Sequence, residues 1–513
     1  MRRMVIGLGL WLAAVPLWAA NPGSSTPRPA PELRTHAQSL ATQILAVSQY
    51  IEGNYVRHVT QAAMVRAAVT GWFEAAREPF PPSLHADLTL ARNSDDYRAI
   101  IAEARERLGD APSVSGGKDL TIALVSMARA LDPYSGLPSR NDARREIGSY
   151  VGIGVELEAE ANRRVTLDPN FIDPLDSRVS QPFANRRGPV RFTDIYPGGP
   201  AQRAGLKPAD LLTHIDGQEL RGPETPKLLQ RLTQPGREGS KGVKLTLRRP
   251  GRAEPVEVEV VPTQFTPENV FGVQRRVDQT WNYMLDASRK IGYVRLGFID
   301  QPAVEEMEAA LAELTSASIR GLIFDLRDCP GGYVDPAVLI CGYFIKTGTV
   351  AVVRSKGEEE KRHTTGDKPI VAGIPIIVLV NRDTMGGGEM IAAALQDHHI
   401  AAVAGQRTFG KGSVQNTPTI PAAGISFKLT TGMFTRPNGK NLHRFPDSKL
   451  EDDWGVRPDL PMPTTPELNS QLREWMHLQA LRPGNNRELL PLDDPDNDPL
   501  RQFALRELLK RVK

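Results

Sequence analysis

Two cysteines, Cys329 and Cys341, are all that this 513-residue chain contains, which excludes a disulfide-dense scaffold and any zinc site built from four thiolates. An excess of either charge sign is missing as well. Lys and Arg number 63 against 60 Asp and Glu, a formal charge of +3, too balanced for nucleic acid or acidic lipid to be the main partner. No HExxH or GxxxxGK[ST] motif occurs, so the metal and phosphate chemistries that need those spacings are not expected, nor is any cofactor. His398 and His399 are adjacent, and neighbouring side chains on a strand point to opposite faces, which rules against a shared metal. Nor does a solenoid period show itself. What remains is an ordinary globular composition, 40% apolar and 24% charged, with length enough for about three domains.

The one long apolar run comes first. Arg2 and Arg3 precede Met4–Ala20, which ends in the small residues Ala19 and Ala20, the pattern of an export leader. A retained membrane anchor is the alternative, but the run is at the lower limit of the roughly 17 to 25 residues a spanning helix needs, and Pro16 interrupts it. The expected location is therefore periplasmic or extracytoplasmic, with a Pro/Ser-rich linker at 21–31. Residues 32–147 read as a helical N-terminal domain, with Leu40, Ile44, Val47 and Ile51 on one helical face. From 148 to 265 short β-type runs and turn signals predict a small β domain carrying an insertion near 160–189. From 266 to 463 strands alternate with amphipathic helices, which requires a parallel sheet covered by helices. Residues 464–513 are expected to form a helical tail, to which no chemistry is assigned.

Within the β region, YPGGPAQRAGLKPADLLTHIDGQEL (196–220) follows GIGV (152–155). Together these segments resemble a PDZ domain, whose carboxylate loop offers successive backbone N–H groups to a peptide C-terminus while the peptide adds as a strand. The resemblance assigns Gly152, Ile153, Gly154 and Val155 to peptide binding. Further on stand GLIFDLRDCPGGYVDPAV (321–338) and VLVNRDTMGGGEMIAAALQDHHIAAVAGQRTFGKGSVQ (378–415). With LDPYSG (131–136), these motifs occur in the order in which they resemble the C-terminal processing, or tail-specific, peptidases. Those are exported serine peptidases of the Ser/Lys type, with a PDZ domain and a fold related to ClpP and crotonase. The implied fold is multidomain α+β: a helical N-terminal region, a PDZ-like β domain and an α/β peptidase domain.

By the same resemblance Lys411 is the general base, Gln415 its support, and Gly331, Gly332 and Gly387 the oxyanion donors. The nucleophilic serine of the family stands three residues before the glutamate of S-A-S-A-S-E and 25 before the lysine. Glu389 and Lys411 place that position at Gly386 by both counts. Glycine has no attacking oxygen, so hydrolysis is expected to fail at its first step. Three readings follow. The first is a binding protein for C-terminal or unfolded segments of exported proteins. The second is a working endopeptidase using another hydroxyl, with Thr384 two residues upstream the best placed. The third is a non-catalytic envelope scaffold, its helical ends making homo-oligomer or envelope adaptor contacts. Ser413 and Cys329 are weaker nucleophile candidates, and Cys329 and Cys341 are either a disulfide or two buried thiols.

Overall fold

The computed structural model describes residues 31–138, 150–158, 164–166, 188–233, 242–366, 369–482 and 498–512. The expected leader, the linker up to residue 30 and most of the insertion lie outside the described residues.

Among the described residues five helices come first: α1 (Pro31–Asn54), α2 (Gln61–Ala76), α3 (Pro82–Leu90), α4 (Ser94–Arg107) and α5 (Lys118–Arg129). Residues 31–48 and 61–127 form one compact unit. The apolar face foreseen on α1 is buried at Leu40, Ile44, Val47 and Ile51. Pro82 starts α3, where a missing N–H costs nothing, and Asn93 caps α4, accepting from the N–H groups of Asp95 and Asp96. The Trp72 indole N–H donates to the Asp119 carbonyl at 2.7 Å, giving a buried ring the partner it needs. This unit ends at Met127 rather than near 147. Gly136 and Lys428 exchange both backbone hydrogen bonds at 2.8 Å, which joins the LDPYSG segment to the second unit, residues 49–60 and 128–513.

In the second unit, β1 (Tyr150–Gly152) pairs with β9 (Thr263–Phe265). Between them β2 (Val155–Glu158), β3 (Arg164–Thr166), β4 (Val190–Ile195), β5 (Leu211–Ile215), β6 (Gln218–Glu219), β7 (Val243–Arg248) and β8 (Val256–Val260) make a seven-stranded sheet in the order β3-β2-β4-β5-β7-β8, with β6 on β5. Two short helices accompany this sheet, α6 (Pro200–Arg203) and α7 (Thr225–Gln230). Asp216 and Gly217 have φ of 48° and 76°, the left-handed pair of a two-residue hairpin turn between β5 and β6.

A second seven-stranded sheet follows. It contains β10 (Val270–Phe271), β11 (Met284–Asp286), β12 (Ile291–Leu296), β13 (Gly321–Asp325), β16 (Ile376–Val380), β17 (Ala401–Gly405) and β20 (Leu460–Pro461), of which β12-β13-β16-β17-β20 run parallel. Four more strands, β14 (Thr349–Ser355), β15 (Lys361–Thr364), β18 (Ser413–Asn416) and β19 (Leu429–Thr435), form an antiparallel sheet in the order β15-β14-β19-β18. The parallel strands are apolar at most positions because both faces are covered, with Arg295 and Asp325 the charged exceptions. Leu322, Phe324, Ile376, Val378 and Val380 face a core shared with α8 (Gln301–Ser316), α9 (Val334–Gly342) and α10 (Gly387–Asp397). Ile323, Ile377 and Leu379 face the opposite way, onto α12 (Pro499–Leu509), which follows α11 (Pro466–Leu481). Arg327, buried between Asp325 and Asp498, ties α12 beneath the sheet with bonds of 2.6 to 3.0 Å. A helical region, a PDZ-type β domain and an α/β domain are thus the observed fold class.

Candidate active site

Strand β16 ends at Val380, and the chain turns sharply through Asn381–Gly386 into α10. At the turn Gly386 has φ 56° and ψ −118°, in the half of conformational space that L side chains avoid. A Cβ placed there would meet nothing closer than the Pro330 carbonyl at 3.6 Å. Space for a side chain therefore exists, and only backbone strain of about 1–2 kcal/mol opposes one.

Glu389, on the first turn of α10, organises the surroundings. Its carboxylate accepts from Gly386 N (3.1 Å), Thr408 Oγ1 (2.5 Å), Gly410 N (2.6 Å) and Lys411 N (2.7 Å). Burial pushes this carboxyl up to about 7, and the four donors oppose that rise. One side chain therefore holds the glycine turn and the FGKG loop together. Half-buried Lys411 places its ammonium 5.4 Å from the centre of the Tyr134 ring, whose hydroxyl burial pushes up to about 12. The Tyr134 ring in turn meets His443 edge-on at 6.1 Å. Gln415 donates to Ser413 Oγ (3.0 Å) and Thr430 Oγ1 (3.2 Å).

A cleft of about 750 Å³ opens over this turn, lined by Gly386, Gly387, Gly332, Lys411, Ser413 and Gln415, with Phe298, Met390 and Phe434 as apolar walls. The PGG loop is fixed by Ile299, whose N–H donates to the Gly331 carbonyl (3.0 Å) and whose carbonyl accepts from Tyr333 N (2.9 Å). In such a parallel bridge the N–H of the intervening residue, Gly332, points the other way. A Cβ at 332 would overlap the Ile299 carbonyl, so this approach requires glycine. The N–H of Gly387 lies at the start of α10, where it has no intrahelical acceptor. Gly331, the third donor the resemblance assigns, precedes Gly332 in this loop, and its carbonyl is taken by Ile299 N.

The structure does not bring Thr384 to the cleft. Its hydroxyl is fully buried, donates to the Leu326 carbonyl at 2.8 Å and accepts from Asn381 N at 3.0 Å, so it holds the strand end and attack from it is set aside. Cys329 and Cys341 are free thiols, both buried. Burial pushes Cys329 up to about 12, far from the thiolate a nucleophile needs. The disulfide alternative and a cysteine nucleophile both fall.

At the 152–155 loop the Ile153 and Gly154 carbonyls accept from Ala201 N (2.7 Å) and Tyr196 N (3.0 Å). The Phe265 ring lies against Gly154, 2.9 Å from where a Cβ would stand. One difference from the expectation concerns the groove. β2 pairs with β4 on one edge and with β3, from within the insertion, on the other, in the register Glu156↔Thr166, Leu157↔Val165 and Glu158↔Arg164. A peptide adding as a strand to β2 meets an edge already hydrogen-bonded at 156–158.

Sequence reasoning missed Thr408 and Tyr134 as residues of the site. The TFGKG and LDPYSG segments contain them, but nothing in their spacing signals that one donates to Glu389 and the other faces Lys411.

Residues 290–462 match peptidase family S41, and residues 191–249 match the PDZ domain, a stretch that begins after the Gly152–Val155 loop. A carboxy-terminal-processing protease of Bartonella bacilliformis is 26% identical over 347 residues, 66% of this chain and 68% of that one. Carboxy-terminal processing protease CtpB of Bacillus subtilis is 25% identical over 278 residues, 53% of this chain and 55% of the other; the chain thus spans little more than half the length of that relative. Among solved structures, a photosystem II D1 C-terminal processing protease aligns over 83% of this chain and 95% of its own, with 21% identity and a TM-score of 0.40. The chain carries an S41 peptidase domain and a PDZ domain. Both of these relatives are named carboxy-terminal processing proteases.

Proposed function

We propose that this chain is an exported relative of the C-terminal processing peptidases that captures polypeptide C-termini or unfolded segments without cutting them. The observation that carries this reading is Gly386, which occupies the sharp turn between β16 and α10, in the cleft that Lys411 also lines, with no side-chain oxygen to attack a carbonyl. In a serine protease, losing the nucleophile costs on the order of 10⁶ in kcat, about 8 kcal/mol. The N–H groups of Gly332 and Gly387 with the Lys411 ammonium still suit a peptide carbonyl or carboxylate, and the apolar walls suit a side chain beside it. The run at 4–20 supports export.

Two measurements test the reading. Calorimetric titration with peptides bearing free or amidated C-termini is expected to show tighter binding of the free form; equal or absent binding would leave the scaffold reading instead. Fluorophosphonate labelling of the unmodified chain is expected to be blank, whereas Gly386→Ser is expected to label. A covalent adduct on the unmodified chain would overturn the proposal.

A further inference from the structure

Helix α11, in the C-terminal tail, carries no assigned chemistry, yet it bonds both to the strands beside the 152–155 loop and to the loops of the cleft. At one end of this set of contacts, midway along the helix, Arg473 donates to Asp328 (Nε, 3.0 Å) and to Asp383 (Nη2, 2.5 Å). These two aspartates open the two loops that carry the facing N–H donors: Asp328 precedes Cys329–Gly332, and Asp383 precedes Thr384–Gly387. The Asn381 side-chain oxygen accepts from the N–H groups of both Asp328 (3.0 Å) and Asp383 (3.1 Å), so Arg473 and Asn381 clamp the loops from the side-chain and backbone directions. One turn further along α11, His477 Nε2 lies 2.7 Å from Glu156, on β2 immediately after the Gly152–Val155 loop. Just past the helix, Arg482 pairs with Asp194 on β4 at 2.5 and 3.1 Å. Glu156 and Asp194 are 2% and 0% exposed, and carboxylates so buried depend on their partners. Two arginines of the α/β domain hold the helix between these ends, Arg275 on the Ala480 carbonyl (2.9 Å) and Arg295 on that of Met476 (3.4 Å).

We infer that α11 couples the PDZ-type loop to the cleft, with Arg473 a positioning residue that sets the spacing of the Gly332 and Gly387 donors. Displacing β2 or β4, as a ligand at 152–155 does if it alters the strand that follows, shifts His477 and Arg482 and is felt at Arg473 through one rigid helix. The functional consequence rests on the peptide-binding reading above; the mechanical coupling does not, and it is tested without any ligand.

Hydrogen exchange on the full chain reads both ends. Arg473→Gln is expected to speed amide exchange several-fold at 328–333 and 384–388, and also at 153–158 and 190–195. The paired variants Glu156→Gln with His477→Gln, and Asp194→Asn with Arg482→Gln, remove both partners so that no buried charge is orphaned, and are expected to speed exchange at 384–388. Arg473→Lys, which keeps a cation, is expected to recover part of the protection at both ends. Responses confined to the mutated end in every variant would overturn the coupling. If a paired variant loses its cooperative thermal transition, Arg473→Gln decides alone, since that side chain is half exposed and outside the core. Absence of carboxylate-dependent peptide binding would sink the proposed function and leave this coupling standing on its exchange data.

Discussion

The two loops that meet at Glu389 have fared differently. The FGKG loop carries a lysine and gives two backbone N–H groups to the carboxylate, while the turn at 386 gives one and carries a glycine, the position at which the proposed function lacks an attacking hydroxyl. Both are nonetheless held in place by the same side chain. The comparison teaches that the scaffold of a reactive site and its reacting atom are separable: four donors fix the geometry whether or not residue 386 carries oxygen.

Removing the shared support breaks the comparison most severely. Glu389→Ala leaves three backbone N–H groups and the Thr408 hydroxyl without their acceptor in a buried place, and at roughly 1–3 kcal/mol per orphaned group the expected loss exceeds about 3 kcal/mol in urea denaturation. An unchanged midpoint would mean that the two loops stand independently.

The pH dependence sharpens the same point. Glu389 has its carboxyl raised from 4.5 to about 7 in the folded chain, so between those values the native state binds the extra proton. Its contribution is fully present below about 4.5 and lost as pH rises through about 7. Denaturation midpoints are therefore expected to fall from pH 5 to pH 7.5, and the fall to shrink in Glu389→Gln. Glu306, raised to about 7 chiefly by burial, supplies part of what remains. An identical slope in the variant would remove Glu389 from the account.

Gly386→Ser asks what the turn itself costs. With φ at 56° and open space at the Cβ, the expected loss of stability is about 1–2 kcal/mol, with no change in the core. A larger loss would mean that the turn has closed around glycine. The smallest effect is expected at the other loop, where Lys411→Met removes the cation beside the cleft. Affinity for peptides with a free C-terminus should fall several-fold, up to about tenfold or 1.4 kcal/mol, while amidated peptides are unaffected. Equal effects on both would assign Lys411 to packing against Tyr134 instead.

Much of the fold could be read from periodicity. Val304, Met307, Leu311 and Leu314 share the buried face of α8 as their spacing requires, and IPIIVLV is a strand covered on both sides. The boundary of the helical region was less legible, because the bonds that carry LDPYSG away from it run to Lys428, nearly three hundred residues on. Thr384 shows the same limit at the site. Its position in the sequence suited a substitute nucleophile, but whether a hydroxyl faces a cleft or a carbonyl is set by how the turn closes against Leu326. β3 on the edge of β2 and Arg473 on two loops had no signal at all.

From residue identity alone came the glycine at 386, the order of the motifs and the alternation of strands and helices, since atom content and local spacing are properties of the chain before it folds. Which residues line the cleft, which hydroxyl is spent on a carbonyl, and that a tail helix bonds both to β2 and β4 and to the loops of the cleft were decided only by the tertiary structure. Hydrogen bonds and ion pairs form over about 3 Å, and only folding brings groups this far apart in sequence within that distance.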